Sequence, residues 1–245
     1  VIHDGPRFYD DNAVFGVYTQ RRQRPDSPNE TLERPVVMAL LGDPTGQDFL
    51  DLGCGDGQFG RDLLAAGAAS YLGIDGSQNM VAAATARLQG TAGEVQLGRL
   101  EQLCLPRQGF SRVCARLVLH YVADLAPVFQ DVCAALRQDG LLVFSVEHPV
   151  ITSSNVAATE SGVRQNWIVD DYFQSGPRPV RWMGADVLKH HRSIEDYFAA
   201  VESAGLEVTA LRESAPQREH FLDEELFRRR QRIPLFLTMA ARKRG

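Results

Sequence analysis

The stretch QDFLDLGCGDGQFG (47–60) constrains the fold more than any other part of the chain, because an apolar run passes directly into a turn holding Gly53, Gly55, Gly57 and Gly60. A strand that opens into a glycine-rich turn and then a helix begins a βαβ unit, whose next strand lies parallel to the first. The pattern then repeats. QFGRDLLAAGA has helical spacing closed by Gly67, SYLGIDG is a second strand, and SQNMVAAATARLQ is a helix with Ser77 at its N-cap. EVQLGRL and SRVCARLVL are further strands, LAPVFQDVCAALRQ is a helix stopping near Gly140, and LLVFSVEH is a fifth strand. Regular alternation of this kind predicts an α/β fold with a parallel sheet covered by helices on both faces. With 245 residues and 44% hydrophobic content, a single domain over 1–245 suffices.

After EHP the periodicity lapses. Residues 151–192 cluster Ser, Thr, Asn, Gly and Pro around aromatic islands, and a long stretch without period inside a compact domain is expected to be a lid. A helix (SIEDYFAAVESAG), a strand (LEVTALRES), a charged helix (DEELFRRRQ) and a last strand (PLFLTMAARK) follow.

The formal net charge is −5 with an isoelectric point near 5.7, which disfavours a nucleic-acid partner, and Arg228–Arg230 read as one solvated helix face. The four cysteines lack CxxC spacing and the six histidines form no ligand set, so no metal is expected and the thiols are expected reduced. No apolar run reaches the length of a membrane span and VIHDGPRFYD is unlike a signal region, giving the expectation of a cytoplasmic protein without a membrane partner.

Gly55, Gly57 and Gly60 satisfy G-x-G-x-x-G, and Asp75 lies 20 residues beyond Gly55, as in dinucleotide-binding folds. Charge separates the ligands that such a turn can take. A pyrophosphate would be repelled by Asp51 and Asp56, whereas S-adenosylmethionine brings an ammonium and a sulfonium that an acidic turn accepts. A nicotinamide-dependent oxidoreductase remains the alternative on the literal glycine pattern. A catalytically silent subunit that binds S-adenosylmethionine has the same signature.

The stretch DLGCGDG, with Asp75 after the second strand, resembles the first motifs of class I S-adenosylmethionine-dependent methyltransferases. FYDDNAVFGVY, NETLERP, LVLHYVADL, DGLLVFSVEHP, VDDYFQSGPR and HHRSIEDYFAAVESAG are similar to successive blocks of a bacterial small-molecule group in that family. The resemblance implies a Rossmann-like seven-stranded sheet, mostly parallel with an antiparallel last strand, an N-terminal cap over about 1–40, and S-adenosylmethionine as cofactor with S-adenosylhomocysteine as product. It places Asp51, Gly53, Gly55 and Gly57 around the methionyl part and Asp75 on the ribose. Met80 falls beside the adenine, and Tyr18 and Arg22 lie in the covering N-terminal segment. Family members often carry an acid where this chain has Arg99, so Leu100 and Glu101 are the expected adenine contacts here.

The acceptor side is read from weaker signs. His120 and His148 follow the fourth and fifth strands and are candidates for a general base, since an ordinary histidine titrates near pH 6.5. Tyr9, Trp167, Tyr172 and Trp182 are candidates to wall a flat acceptor. His190 and His191 face opposite ways on extended backbone, and His191 fits the family pattern. The expected partner is a small planar heteroaromatic metabolite methylated on nitrogen, less readily on oxygen or carbon, by a monomer or homodimer. Length and general appearance are similar to methyltransferases acting on azapteridine rings.

Overall fold

A computed structural model describes residues 2–22, 24, 26–154 and 166–244, with only the backbone of Arg22. Helices α1 (Gly5–Asp10) and α2 (Asn12–Arg22), a π-helical turn (Asn29–Glu33) and α3 (Arg34–Leu41) precede the main sheet, after a short strand β1 (Ile2–His3). The alternating part then runs β2 (Asp48–Leu52), α4 (Gln58–Ala65), β3 (Ser70–Asp75), α5 (Gln78–Leu88), β4 (Gly93–Leu97), β5 (Phe110–Arg116), α6 (Ala126–Ala135) and β6 (Leu136–Glu147). The remainder comprises α7 (Pro149–Thr152), β7 (Gly176–Trp182), β8 (Ala185–His191), α8 (Ile194–Ser203), β9 (Leu206–Arg212), α9 (Glu224–Arg230) and β10 (Phe236–Lys243).

Seven strands form one sheet in the order β4-β3-β2-β5-β6-β10-β9. β2 pairs parallel with β3 and β5, while β10 runs antiparallel to β6 and β9, as expected of the last strand. Successive side chains of β2 serve opposite faces. Leu50 and Leu52 pack with Val128, Phe129, Tyr197 and Val201 of α6 and α8, and Phe49 packs with Val37, Leu41, Phe59 and Leu63 of α3 and α4. Asp51 therefore points to the same face as Phe49, under α4.

Two expectations are corrected. Helix α6 ends at Ala135 rather than near Gly140, because Leu136 is buried, takes extended backbone and pairs with Phe110; residues 137–140 then bulge out, with Asp139 at φ +60°, before Leu141 pairs with Arg112. The 151–192 segment is not structureless. It contains the β7–β8 hairpin, to which β1 adds as a parallel third strand, and residues 155–165 lie outside the described residues. The hairpin turns on Met183 and Gly184, both at positive φ (+47° and +87°), a two-residue connection that matches strand twist. Its signal was masked by Pro177 and Pro179, which an edge strand tolerates.

Helix α1 is fastened to the start of α5. Asp10 accepts from the Ser77 hydroxyl at 2.7 Å and the Asn79 amide at 3.2 Å, which brings Tyr9 over the carboxyl ends of β2 and β3.

Candidate active site

A cavity of about 410 Å³ lies at the carboxyl ends of β2, β3, β5 and β6, where open α/β sheets bind ligands. Its floor is the glycine turn. Gly53 (φ +71°) could not carry a side chain, since a Cβ would meet Val118 at 2.5 Å, while a Cβ on Gly55 (φ +57°) would meet nothing within 4 Å and would project into open space. Gly57 caps α4 at φ +75° against Ala84 and does not line the cavity.

Both oxygens of Asp75 accept backbone N–H groups, from Gly55 and Ser77, each at 2.9 Å. Burial nevertheless raises its pKa to about 6 against those two bonds. Asp51 is 2% exposed and lines the cavity. Its Oδ2 accepts from the Tyr71 hydroxyl at 2.7 Å, and its Oδ1 is buried with no hydrogen-bond partner among the described residues. An unsatisfied buried carboxylate oxygen is costly, so a donor from a bound ligand fits there. Asp56, also on the cavity wall, is paired with Arg87 at 3.1 Å.

Met80, Leu100, Glu101 and Arg99 line the flank beside Asp75. Arg99 is held by Asp4 at 3.0 Å and approaches Glu101 at 3.7 Å. Tyr18 and Arg21 line the N-terminal side, whereas the Arg22 side chain lies outside the described residues.

The far end of the cavity is aromatic. Tyr9, Tyr121 and Trp182 line it, with the Tyr9 and Tyr121 hydroxyls 3.2 Å apart and Trp182 stacked on Phe8 at 5.5 Å. Glu147 and His120 complete this end. Glu147 is paired with Lys189 at 2.6 Å, and the Lys189 ammonium sits 5.0 Å from the Trp182 ring. Burial disfavours both charges, but each partner outweighs it for the other, so Glu147 is held below and Lys189 above its ordinary range. His120 is fully enclosed. Desolvation lowers its pKa to about 3, with Glu147 opposing, and its Nδ1 faces the Glu147 amide at 3.5 Å. That imidazole is neutral at physiological pH, with Nε2 as its donor side.

Several sequence candidates fall elsewhere. His148 does not line the cavity: its Nε2 meets Glu213 at 3.0 Å and its Nδ1 accepts from the Val150 amide, capping α7, while burial lowers its pKa against Glu213. His191 is buried between Thr152 Oγ1 (2.8 Å) and the Tyr172 carbonyl (2.9 Å), and Tyr172 packs on it from outside the cavity. Trp167 lies under Arg232, whose guanidinium is 6.0 Å from its ring, also away from the cavity. His191 and Tyr172 thereby join strand β8 to α7 and to the segment before β7.

Sequence reasoning missed Glu147, Tyr121, Lys189 and Arg116. Arg116 lines the cavity, lies 4.2 Å from the Phe59 ring and is bonded to buried Glu33, which also accepts from Ser145 at 2.6 Å. A charge inside an apolar strand, as in VCARLVL and FSVEHP, was the available signal. Among the described residues no group of three or more His, Cys, Asp or Glu side chains could hold a metal ion, and no helix is long and apolar enough to cross a membrane.

Residues 50–144 match the family model described as a methyltransferase domain. An S-adenosylmethionine-dependent methyltransferase from Mesorhizobium loti is 33% identical, with a TM-score of 0.79 over 89% of this chain and 99% of that one. The chain belongs to the class I S-adenosylmethionine-dependent methyltransferases. A second structure, a putative S-adenosylmethionine-dependent methyltransferase from Listeria monocytogenes, is similar to this methyltransferase at 29% identity and TM-score 0.79, covering 87% and 97% of the two chains. An uncharacterised protein of Haemophilus influenzae is 30% identical over 195 residues, 76% of this chain and 77% of that protein.

Proposed function

We propose that this methyltransferase transfers a methyl group to a ring nitrogen of a small planar heteroaromatic metabolite. The supporting observation is the division of one cavity into an acidic glycine floor and an aromatic end where Glu147 and His120 sit beside Tyr9, Tyr121 and Trp182.

In this reading Asp51, Gly53 and Gly55 hold the methionyl part of the donor, Asp75 the ribose, and Met80, Leu100 and Glu101 the adenine. Tyr18 covers it, and Arg21, which lines the cavity, pairs with the carboxylate from the segment that also carries Arg22. Bound there, S-adenosylmethionine supplies an electrophilic methyl carbon on a sulfonium. The protein's own task is then alignment in a dry site, an effect worth up to roughly 7–11 kcal/mol. His120 is too weak a base to remove a proton near neutral pH, and it instead offers an Nε2–H to the acceptor. Glu147, kept ionised by Lys189, accepts from a ring N–H and disfavours anionic acceptors. A ring nitrogen with an in-plane lone pair needs no base, which suits this set better than a phenol. The azapteridine of toxoflavin biosynthesis is one compound of the class.

The test is S-adenosylhomocysteine release over a panel of neutral N-heterocycles, their carboxylated analogues and phenols. Turnover confined to neutral heterocycles supports the proposal. Turnover of phenols alone, or of carboxylated analogues in preference, overturns it.

A further inference from the structure

We infer that Tyr71 is a positioning residue of the methyl-donor site: its hydroxyl fixes Asp51 through Oδ2 and so presents Oδ1 as the acceptor for the donor's ammonium. This rests on the proposed seating of the donor beside Asp51. Tyr71 does not itself line the cavity; its ring packs among Cys54 and Phe59, and its hydroxyl reaches the carboxylate of Asp51.

The reach of Tyr71 is built by two glycines. Tyr71 stands opposite Phe49 in the β2–β3 register, two residues before Gly73, which is opposite Asp51. A Cβ at Gly73 would meet the Tyr71 ring at 3.1 Å and Cys54 Sγ at 2.8 Å. From above, a Cβ at Gly60 on α4 would fall 2.2 Å from the Tyr71 ring. The ring therefore lies along the sheet in a slot that admits no side chain at either position, and its hydroxyl ends 2.7 Å from Asp51. The third glycine of the literal G-x-G-x-x-G thus serves a tyrosine rather than a phosphate.

The hydroxyl also governs charge. Asp51 is faced by Tyr71 from β3, by Cys114 and Arg116 from β5, by Glu33 from the π-helical turn, and more distantly by Cys54 and Asp75. Burial pushes the Asp51 carboxyl up, and the Tyr71 hydroxyl is the strongest influence opposing it. Burial and Asp51 together push the Tyr71 phenol far above its ordinary range, so it acts only as donor. Removing that donor favours the protonated carboxyl, which attracts an ammonium less.

The experiment is calorimetric titration of S-adenosylhomocysteine into the wild-type protein, Tyr71→Phe, Asp51→Asn and the double variant, from pH 6 to 8.5, with thermal melts alongside. Asp75 titrates in every protein and is influenced by Asp51, so each Tyr71→Phe ratio is taken within one Asp51 background. The expected result is a Tyr71→Phe affinity about tenfold below wild type, with the deficit no smaller at pH 6 than at pH 8.5. In the Asp51→Asn background the same change should cost about threefold or less. Wild-type affinity at every pH, a loss in the Asp51→Asn background as large as in the wild-type background, or a Phe variant without a cooperative melt would each overturn the positioning role. Failure of the wild-type protein to bind at all would instead overturn the donor site.

Discussion

Asp75→Asn removes a negative charge that the fold strains to keep. Burial raises the carboxyl to about 6 even though Gly55 and Ser77 each donate to it at 2.9 Å. Ribose hydroxyls arriving as further donors favour the ionised form, so protons and cofactor compete for the site. Bonds to a charged group contribute about 1.5–3 kcal/mol each, and two of them, discounted for non-additivity, place the loss near 3 kcal/mol, or about 100-fold in Kd. The sign of the pH effect follows from the raised value. Above pH 7 Asp75 is ionised in the free protein and binding is at full strength; from pH 7 to pH 5 wild-type affinity for S-adenosylhomocysteine falls about tenfold. The variant has no carboxyl to protonate, so the ratio of variant to wild-type Kd should shrink from about 100 at pH 7.5 to about 10 at pH 5. Isothermal titration calorimetry across that range measures both. A variant within threefold of wild type at pH 7.5, or a ratio that does not change with pH, would refute the reasoning.

The other predictions rest on sterics and burial. Gly53→Ala forces a Cβ to 2.5 Å from Val118 at φ +71° and should destabilise by about 3 kcal/mol, lowering Tm by roughly 6–12 °C. Gly55→Ala meets no atom within 4 Å, so it should lose only about 1 kcal/mol of stability while S-adenosylhomocysteine binding weakens at least tenfold. Lys189→Met leaves half-buried Glu147 without its partner and should cost about 1.5–3 kcal/mol by thermal denaturation, much of it restored by adding Glu147→Gln. Because His120 is neutral down to about pH 3, His120→Asn should lower turnover without altering the shape of the pH–rate profile between pH 6 and 8. Loss of an inflection near 6.5 in that variant would restore the histidine as a base.

What could be read from the chain follows the range of the interactions involved. The βα alternation, the Ser77 cap and the glycine turn are local, and periodicity reports them directly. Asp51 and Asp75 were legible because charge beside a glycine turn has few uses. Long-range partnerships were not. Nothing near FSVEHP says that Glu147 meets Lys189, 42 residues on, because the connecting hairpin hides behind two prolines. His148 follows a strand as a cavity residue would, yet the chain turns at Pro149 and aims the ring at Glu213. Lone histidines divide between cavity and core according to backbone direction one residue either way, and the side-chain period of a strand end does not fix that.

The most direct measurement is a crystal structure of the protein soaked with S-adenosylhomocysteine and NADH together. The account predicts the adenosyl compound in the glycine-floored cavity, with its ribose hydroxyls on Asp75 and its ammonium against Asp51 Oδ1. A nicotinamide nucleotide in that cavity, or the adenosyl compound bound away from both carboxylates, would contradict it.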